Sequence, residues 1–209
     1  MVDEIGASGR RGHRRFAAFW DWAVRHEGRS ERKARQQVMS GATGRVLEIG
    51  VGVGANWACL PEGATYSAID PDPFMLERGR RHAAEAGKSY DLIEAPAEAI
   101  PFPDGTFDTI VVTLTFCSVD DLPRALAEAR RVLKPGGTLR FWEHVRPGNP
   151  VAGKLFDVIT PGWKRIGAGC HPNRRTEEAL RQAGFTMTEV RHTKAGPFMP
   201  AILGVATRG

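Results

Sequence analysis

The chain has 209 residues, 42% of them hydrophobic and 25% charged, with a formal net charge of +5. These values exclude a disordered or fibrous chain, and the length suits one compact domain with its own core. Three scattered cysteines exclude a disulfide framework, and no apolar run approaches the ~18 residues of a membrane span, so a reducing, cytoplasmic setting is expected.

The stretch Met1–Arg15 is polar and Arg-rich, unlike a secretion signal. Phe16, Phe19, Trp20 and Ala23 recur at helical spacing up to Arg25, and a second helix is expected from an N-cap at Ser30 to about Gly41. Nine Lys or Arg lie between Arg10 and Arg35, against Asp21, Glu27 and Glu31, so this segment presents a basic face. Simple solvation accounts for such a face, and peripheral contact with anionic lipid or with an acidic substrate is the alternative. Nucleic acid is not expected, because no aromatic and basic recognition motif accompanies the charge. Residues 1–42 therefore read as a helical extension and residues 43–209 as the main domain.

Strands are predicted at Arg45–Gly50 and Thr65–Asp70. The first runs into a glycine-rich turn that opens a helix; the second runs into a Pro-primed helix from about Asp72 to Ala86, stopped by Gly87. A short strand near Tyr90–Ile93, a strong one over Phe107–Leu114, a helix over Asp121–Leu133, a Pro135-Gly136-Gly137 turn and a strand over Thr138–His144 follow. Beyond Gly148 the pattern loosens into an irregular stretch, then a helix from about Arg175 to Ala183 and strands near Phe185–Val190 and Ile202–Ala206. The alternation implies an α/β fold, a Rossmann-like doubly wound parallel sheet covered on both faces and preceded by N-terminal helices.

The most informative segment is Glu48 to Asn56, with glycines at 50, 52 and 54, followed by Asp70 at the end of the next strand. Glycine permits a sharp strand-to-helix turn and close approach of a ligand, and an acidic side chain at the neighbouring strand tip can grip ribose hydroxyls. Gly50, Gly52 and Ala55 also satisfy a loose dinucleotide pattern, so a nicotinamide-dependent oxidoreductase stays open at this point. Glu48 favours S-adenosylmethionine (SAM), whose cationic sulfonium end a carboxylate can neutralise.

Val46-Leu-Glu-Ile-Gly-Val-Gly-Val-Gly54 resembles motif I of the class I SAM-dependent methyltransferases. Ala97-Glu98 through Phe107-Asp108 resembles their loop after the third strand and the start of the fourth, and Arg131 through Gly137 resembles the turn before the fifth. The resemblance implies seven strands, mostly parallel, with the last inserted antiparallel, and SAM as cofactor giving S-adenosylhomocysteine (SAH). Asp70-Pro-Asp-Pro73, Thr115 to Val119, Trp142 to Val145 and Gly169-Cys170 look most like the small alkyl-thiol methyltransferases of animals and their bacterial relatives. That likeness implies a small, apolar, thiol acceptor, with quinone rings and phospholipid headgroups as related alternatives. The animal enzymes carry an apolar N-terminal anchor, which is not expected here.

Carried over by position, Glu48, Gly50, Gly52, Gly54 and Asn56 would surround the methionine portion, Asp70 would hold the ribose and Pro71 would pack beside the adenine. Many relatives bind the adenine amino group with an Asp where this chain has Pro96, which leaves Ala97 and Glu98 to recognise the base. Thr113 would face the methyl donor. Transfer of an activated methyl needs alignment and desolvation more than a base. His144 at a strand end is a candidate base, against the plainer reading of a packing histidine. Cys117 reads as pocket wall rather than nucleophile, and Phe16 and Trp20 as helix packing or a substrate lid. Cys170 and His171 adjoin, but no second Cys or His stands at ligand spacing, so no metal site is expected. A noncatalytic SAM-binding protein is the alternative of another class.

Overall fold

A computed structural model describes residues 4–5, 11–196 and 198–209; most of the polar Met1–Arg10 stretch lies outside them. Strands β1 (Glu4–Ile5) and β2 (Arg11–Gly12) pair antiparallel, and helices α1 (Arg14–Arg25) and α2 (Arg29–Met39) follow. The N-cap of α2 is Gly28 rather than Ser30, whose hydroxyl donates instead to the Glu31 carboxylate at 2.8 Å.

The main sheet contains β3 (Arg45–Ile49), β4 (Thr65–Asp70), β5 (Asp91–Glu94), β6 (Phe107–Thr113), β7 (Leu133–His144), β8 (Phe185–Ala195) and β9 (Met199–Arg208), in the order β5-β4-β3-β6-β7-β9-β8. Strands β3 to β7 are parallel, and β9 is inserted antiparallel between β7 and β8. The expected seven-stranded, doubly wound sheet is therefore present. Phe107 pairs with Leu133 and Thr109 with Thr138, so Pro135-Gly136-Gly137 forms a bulge inside β7 rather than a turn ahead of it.

Successive side chains of a strand alternate between faces, which explains the near-continuous apolar runs of β3 and β6. Leu47, Ile49, Ile110 and Val112 pack on one side with Leu122, Ala125, Leu126 and Ala129 of α4 (Leu122–Val132) and Leu180 of α6 (Thr176–Gln182). Val46 and Val111 pack on the other side with Ala34, Val38 and Met39 of α2. Helix α3 (Pro73–Glu85) starts on an Asp72 cap, whose carboxylate accepts the Phe74 N–H at 2.9 Å, and α4 starts on an Asp121 cap.

The stretch expected to be irregular contains α5 (Pro150–Ile166), capped by Asn149. No helix among the described residues is long and apolar enough to cross a membrane.

Candidate active site

Strand order reverses between β3 and β6, and in open α/β sheets ligands bind at such a switch point, beyond the C-terminal ends of the strands. The chain leaves β3 through Gly50, whose N–H and that of Val51 both donate to the Ile69 carbonyl, at 2.8 and 3.1 Å. Gly50, Gly52 and Gly54 hold φ of +74°, +56° and +88°, the left-handed region that favours glycine. A Cβ on Gly50 would lie 2.2 Å from Thr115 Oγ1 and one on Gly54 2.3 Å from the Trp57 ring. A Cβ on Gly52 would instead meet the Trp20 indole at 3.6 Å, so α1 covers this part of the loop.

Asp70 closes the turn from the neighbouring strand. Its carboxylate accepts the N–H groups of Gly52 at 2.8 Å and Asp72 at 2.9 Å. Burial lifts its pKa to about 6 in spite of those two bonds, and the charge of Asp72 adds to the rise.

Beside it lies a buried polar network. Glu48 accepts from Asn56 Nδ2 at 2.7 Å and from the Tyr66 hydroxyl, and Asn56 Nδ2 also donates to Thr113 Oγ1 at 2.9 Å. Arg35 reaches in from α2: Nη1 donates to Asn56 Oδ1 at 3.2 Å and to Thr113 Oγ1 at 3.1 Å, while Nη2 donates to Glu27 at 2.6 Å. Burial pushes Glu48 up to about 7, and Asp70 adds to the rise, against the opposing bonds from Tyr66 and Asn56 and the charge of Arg35.

This donor set discriminates between nucleosides. A dinucleotide would place its diphosphate on a helix N-terminus after the glycine turn. Here only Trp57–Cys59 follow as a three-residue 3-10 turn, Arg35 is held by Glu27, Asn56 and Thr113, and the carboxylates of Glu48 and Asp70 are buried beside the glycine loop. Asp70 at the tip of β4 suits the ribose of either ligand, whereas a carboxylate at Glu48 beside the loop suits a ligand with positive charge, as SAM carries on its sulfur and amino group.

Comparison with known proteins agrees. Residues 47–141 match the model of a methyltransferase domain family. Human thiol S-methyltransferase TMT1B is 37% identical over 180 residues, covering 81% of this chain and 74% of that protein. The chain belongs to the class I SAM-dependent methyltransferases. A ubiquinone/menaquinone biosynthesis C-methyltransferase from Hahella chejuensis is 38% identical over 102 residues, covering 48% of this chain and 41% of that protein. The crystal structure of a SAM-dependent methyltransferase from Thermotoga maritima superimposes with a TM-score of 0.68 at 24% identity, covering 94% of this chain and 98% of that one.

The remaining predicted site residues of this methyltransferase divide into two groups. Ala97 is buried and Pro71 exposed near the Asp70 tip. The Glu98 carboxylate is turned to the start of α4, where it accepts the N–H groups of Asp120 and Asp121 at 3.0 and 3.1 Å, so it caps backbone rather than reaching for adenine. Phe16 stacks on Trp20 with ring centroids 6.0 Å apart, and both pack with Val53 and Met75.

Cys117 lies in the loop after β6 and His144 ends β7, where the structure joins them to Cys170. The expectation of no metal site rested on the spacing of Cys170 and His171; folding brings in Cys117 and His144 instead, and removes that basis. Sequence reasoning also missed Arg35, Tyr66 and Glu143. Glu143 is fully buried and accepts the N–H groups of Thr115, Phe116 and Cys117 at 2.7, 3.0 and 3.0 Å, which fixes the loop beside Gly50. Burial raises its pKa, opposed by those three bonds.

Proposed function

We propose that this methyltransferase moves the methyl group of SAM onto the sulfur of a small apolar thiol. The observation that carries the reading is the likeness to a thiol S-methyltransferase over 81% of the chain. The likeness to the quinone-directed enzyme spans 48% and favours the second reading less.

SAM supplies a methyl group already activated by a positive sulfur. The chain's residues then have three tasks. The network of Glu48, Asn56, Thr113 and Arg35 would hold the methionine end, with Asp70 on the ribose and the Ala97 backbone and Pro71 against the adenine. Helices α1 and α2 supply a lid, in which Trp20, backed by Phe16, closes over Gly52 and excludes water. Alignment and desolvation then provide most of the acceleration, because a thiolate needs no further activation once its proton has left.

Incubation with SAM and separate alkyl-thiol, demethylated-quinol and phosphoethanolamine acceptors tests this. The expected product is a thioether heavier by one methyl, formed with an equal amount of SAH. A methylated quinol or headgroup without thioether sinks the thiol assignment, and neither SAH nor a methylated acceptor above the protein-free control sinks methyl transfer to all three classes.

A further inference from the structure

Cys117, His144 and Cys170 come from the loop after β6, the end of β7 and the turn after α5. Cys117 Sγ and Cys170 Sγ are 3.7 Å apart, and each lies 3.5 Å from His144 Nδ1. Around a tetrahedral zinc ion, bond lengths of about 2.3 Å to sulfur and 2.0–2.1 Å to nitrogen place two sulfurs about 3.8 Å apart and a sulfur and nitrogen about 3.5 Å apart. The three edges of this cluster match three edges of that tetrahedron.

The corner is held in place by independent contacts. Glu143 fixes the Cys117 N–H at 3.0 Å, and the Cys117 carbonyl accepts the His171 N–H at 2.7 Å. Among the described residues, the non-glycine positions with left-handed φ are Leu114, three before Cys117, and Ala168, two before Cys170. Each precedes a cysteine by no more than three residues, and left-handed backbone at a non-glycine residue persists only where surrounding structure imposes it.

We infer that Cys117, His144 and Cys170 bind zinc with three protein ligands and leave a fourth position open. Two thiolates and an imidazole form a soft donor set that suits zinc and not magnesium or calcium. Sites with three protein ligands are the catalytic type, with the fourth position taken by water or substrate.

The corner shares its loop with the glycine turn: Thr115, two residues before Cys117, has its Oγ1 3.4 Å from the Gly50 carbonyl. The fourth position therefore suits the acceptor sulfur, a step that rests on the thiol reading above. A thiol displacing zinc-bound water loses its proton to solvent, since coordination deprotonates it outright. A sulfur lone pair forms the new bond to the methyl carbon, and the electron pair of the broken bond returns to the sulfonium sulfur, leaving neutral SAH and a thioether.

The test uses protein reduced with a phosphine, so that no thiol competes. Zinc titration followed by elemental analysis should give one equivalent per chain, and cobalt(II) should give thiolate-to-metal charge-transfer bands. Both should be lost in Cys117→Ser and Cys170→Ser and weakened in His144→Gln, with circular dichroism and SAH binding confirming the fold. In case a variant fails to fold, wild-type protein is also assayed by zinc release to a chromogenic chelator on thiol alkylation, where one equivalent is expected. Folded, reduced wild type that takes up no zinc, or folded variants that retain it, overturn the site. An alkyl thiol should then shift the cobalt bands; unshifted bands overturn the open position. Thiol methylation by metal-free protein at an undiminished rate removes zinc from the reaction and leaves the acceptor assignment standing, whereas zinc binding without thiol methylation does the reverse.

Discussion

Gly50 sets the tightest demand on a single residue. Its left-handed backbone costs any other residue roughly 1–2 kcal/mol, and its missing side chain is the space that Thr115 fills. Gly50→Ala should abolish SAH binding in calorimetry, and adding Thr115→Ala should recover only part of it, because the backbone cost remains. The two raised carboxylates make binding pH-dependent. Asp70 near 6 and Glu48 near 7 are protonated below those values in the ligand-free protein, and a cationic ligand favours their ionised forms. SAM affinity should therefore rise with pH through this window, with protons released on binding; calorimetry in buffers of different ionisation enthalpy counts them. Affinity that is flat between about pH 5 and 8 contradicts the placement of both carboxylates at the SAM site. Arg35 is buried and paired with Glu27. Arg35→Met leaves that glutamate unpaired and should lower stability by roughly 3–5 kcal/mol, measurable by urea unfolding. The glycines and Asp70 were legible in the sequence because their spacing is local. Arg35 was not, since one arginine among nine basic residues reads as surface until its burial is known.

At the scale of elements, α1 is joined to α3 through Asp21. That carboxylate is buried and accepts from Arg25 Nε at 3.0 Å and Arg78 Nη1 at 2.9 Å, with His82 Nε2 at 3.3 Å. Burial opposes its ionisation, but the Arg78 bond and the His82 and Arg25 charges prevail and keep its pKa below the ordinary value. Asp21→Asn should free the Trp20 helix: limited proteolysis within residues 11–27 should accelerate and the KM for SAM should rise, with little change in the melting of the sheet. Equal proteolysis in wild type and variant removes Asp21 as the latch. Strands β3, β4 and β6 and helices α3 and α4 were legible because apolar period, caps and stop signals agreed there. Helix α5 was not. Its apolar residues Val151, Leu155, Val158 and Ile166 are exposed rather than aligned on the core, and Pro161 interrupts its interior. Its Asn149-Pro150 start was the one local signal available. The sulfur and imidazole corner was hidden for another reason: Cys117 and Cys170 stand 53 positions apart, and only the sheet brings them together.

For the whole molecule, the order of strands accounts for the site. The reversal between β3 and β6 marks the switch point, the inserted β9 pairs with β7 from Thr138 to His144, and Trp20 of α1 covers Gly52. The fold follows from the alternation of strands and helices, whereas the choice of ligand turns on Glu48 beside the glycine loop and on the three-residue 3-10 turn that stands where a phosphate-binding helix would start. The most direct test is calorimetric titration of SAM, SAH and NAD into the same folded protein. One molecule of SAM or SAH bound per chain, with no heat from NAD, is the predicted result. Binding of NAD, or no binding of either adenosyl ligand, would contradict it.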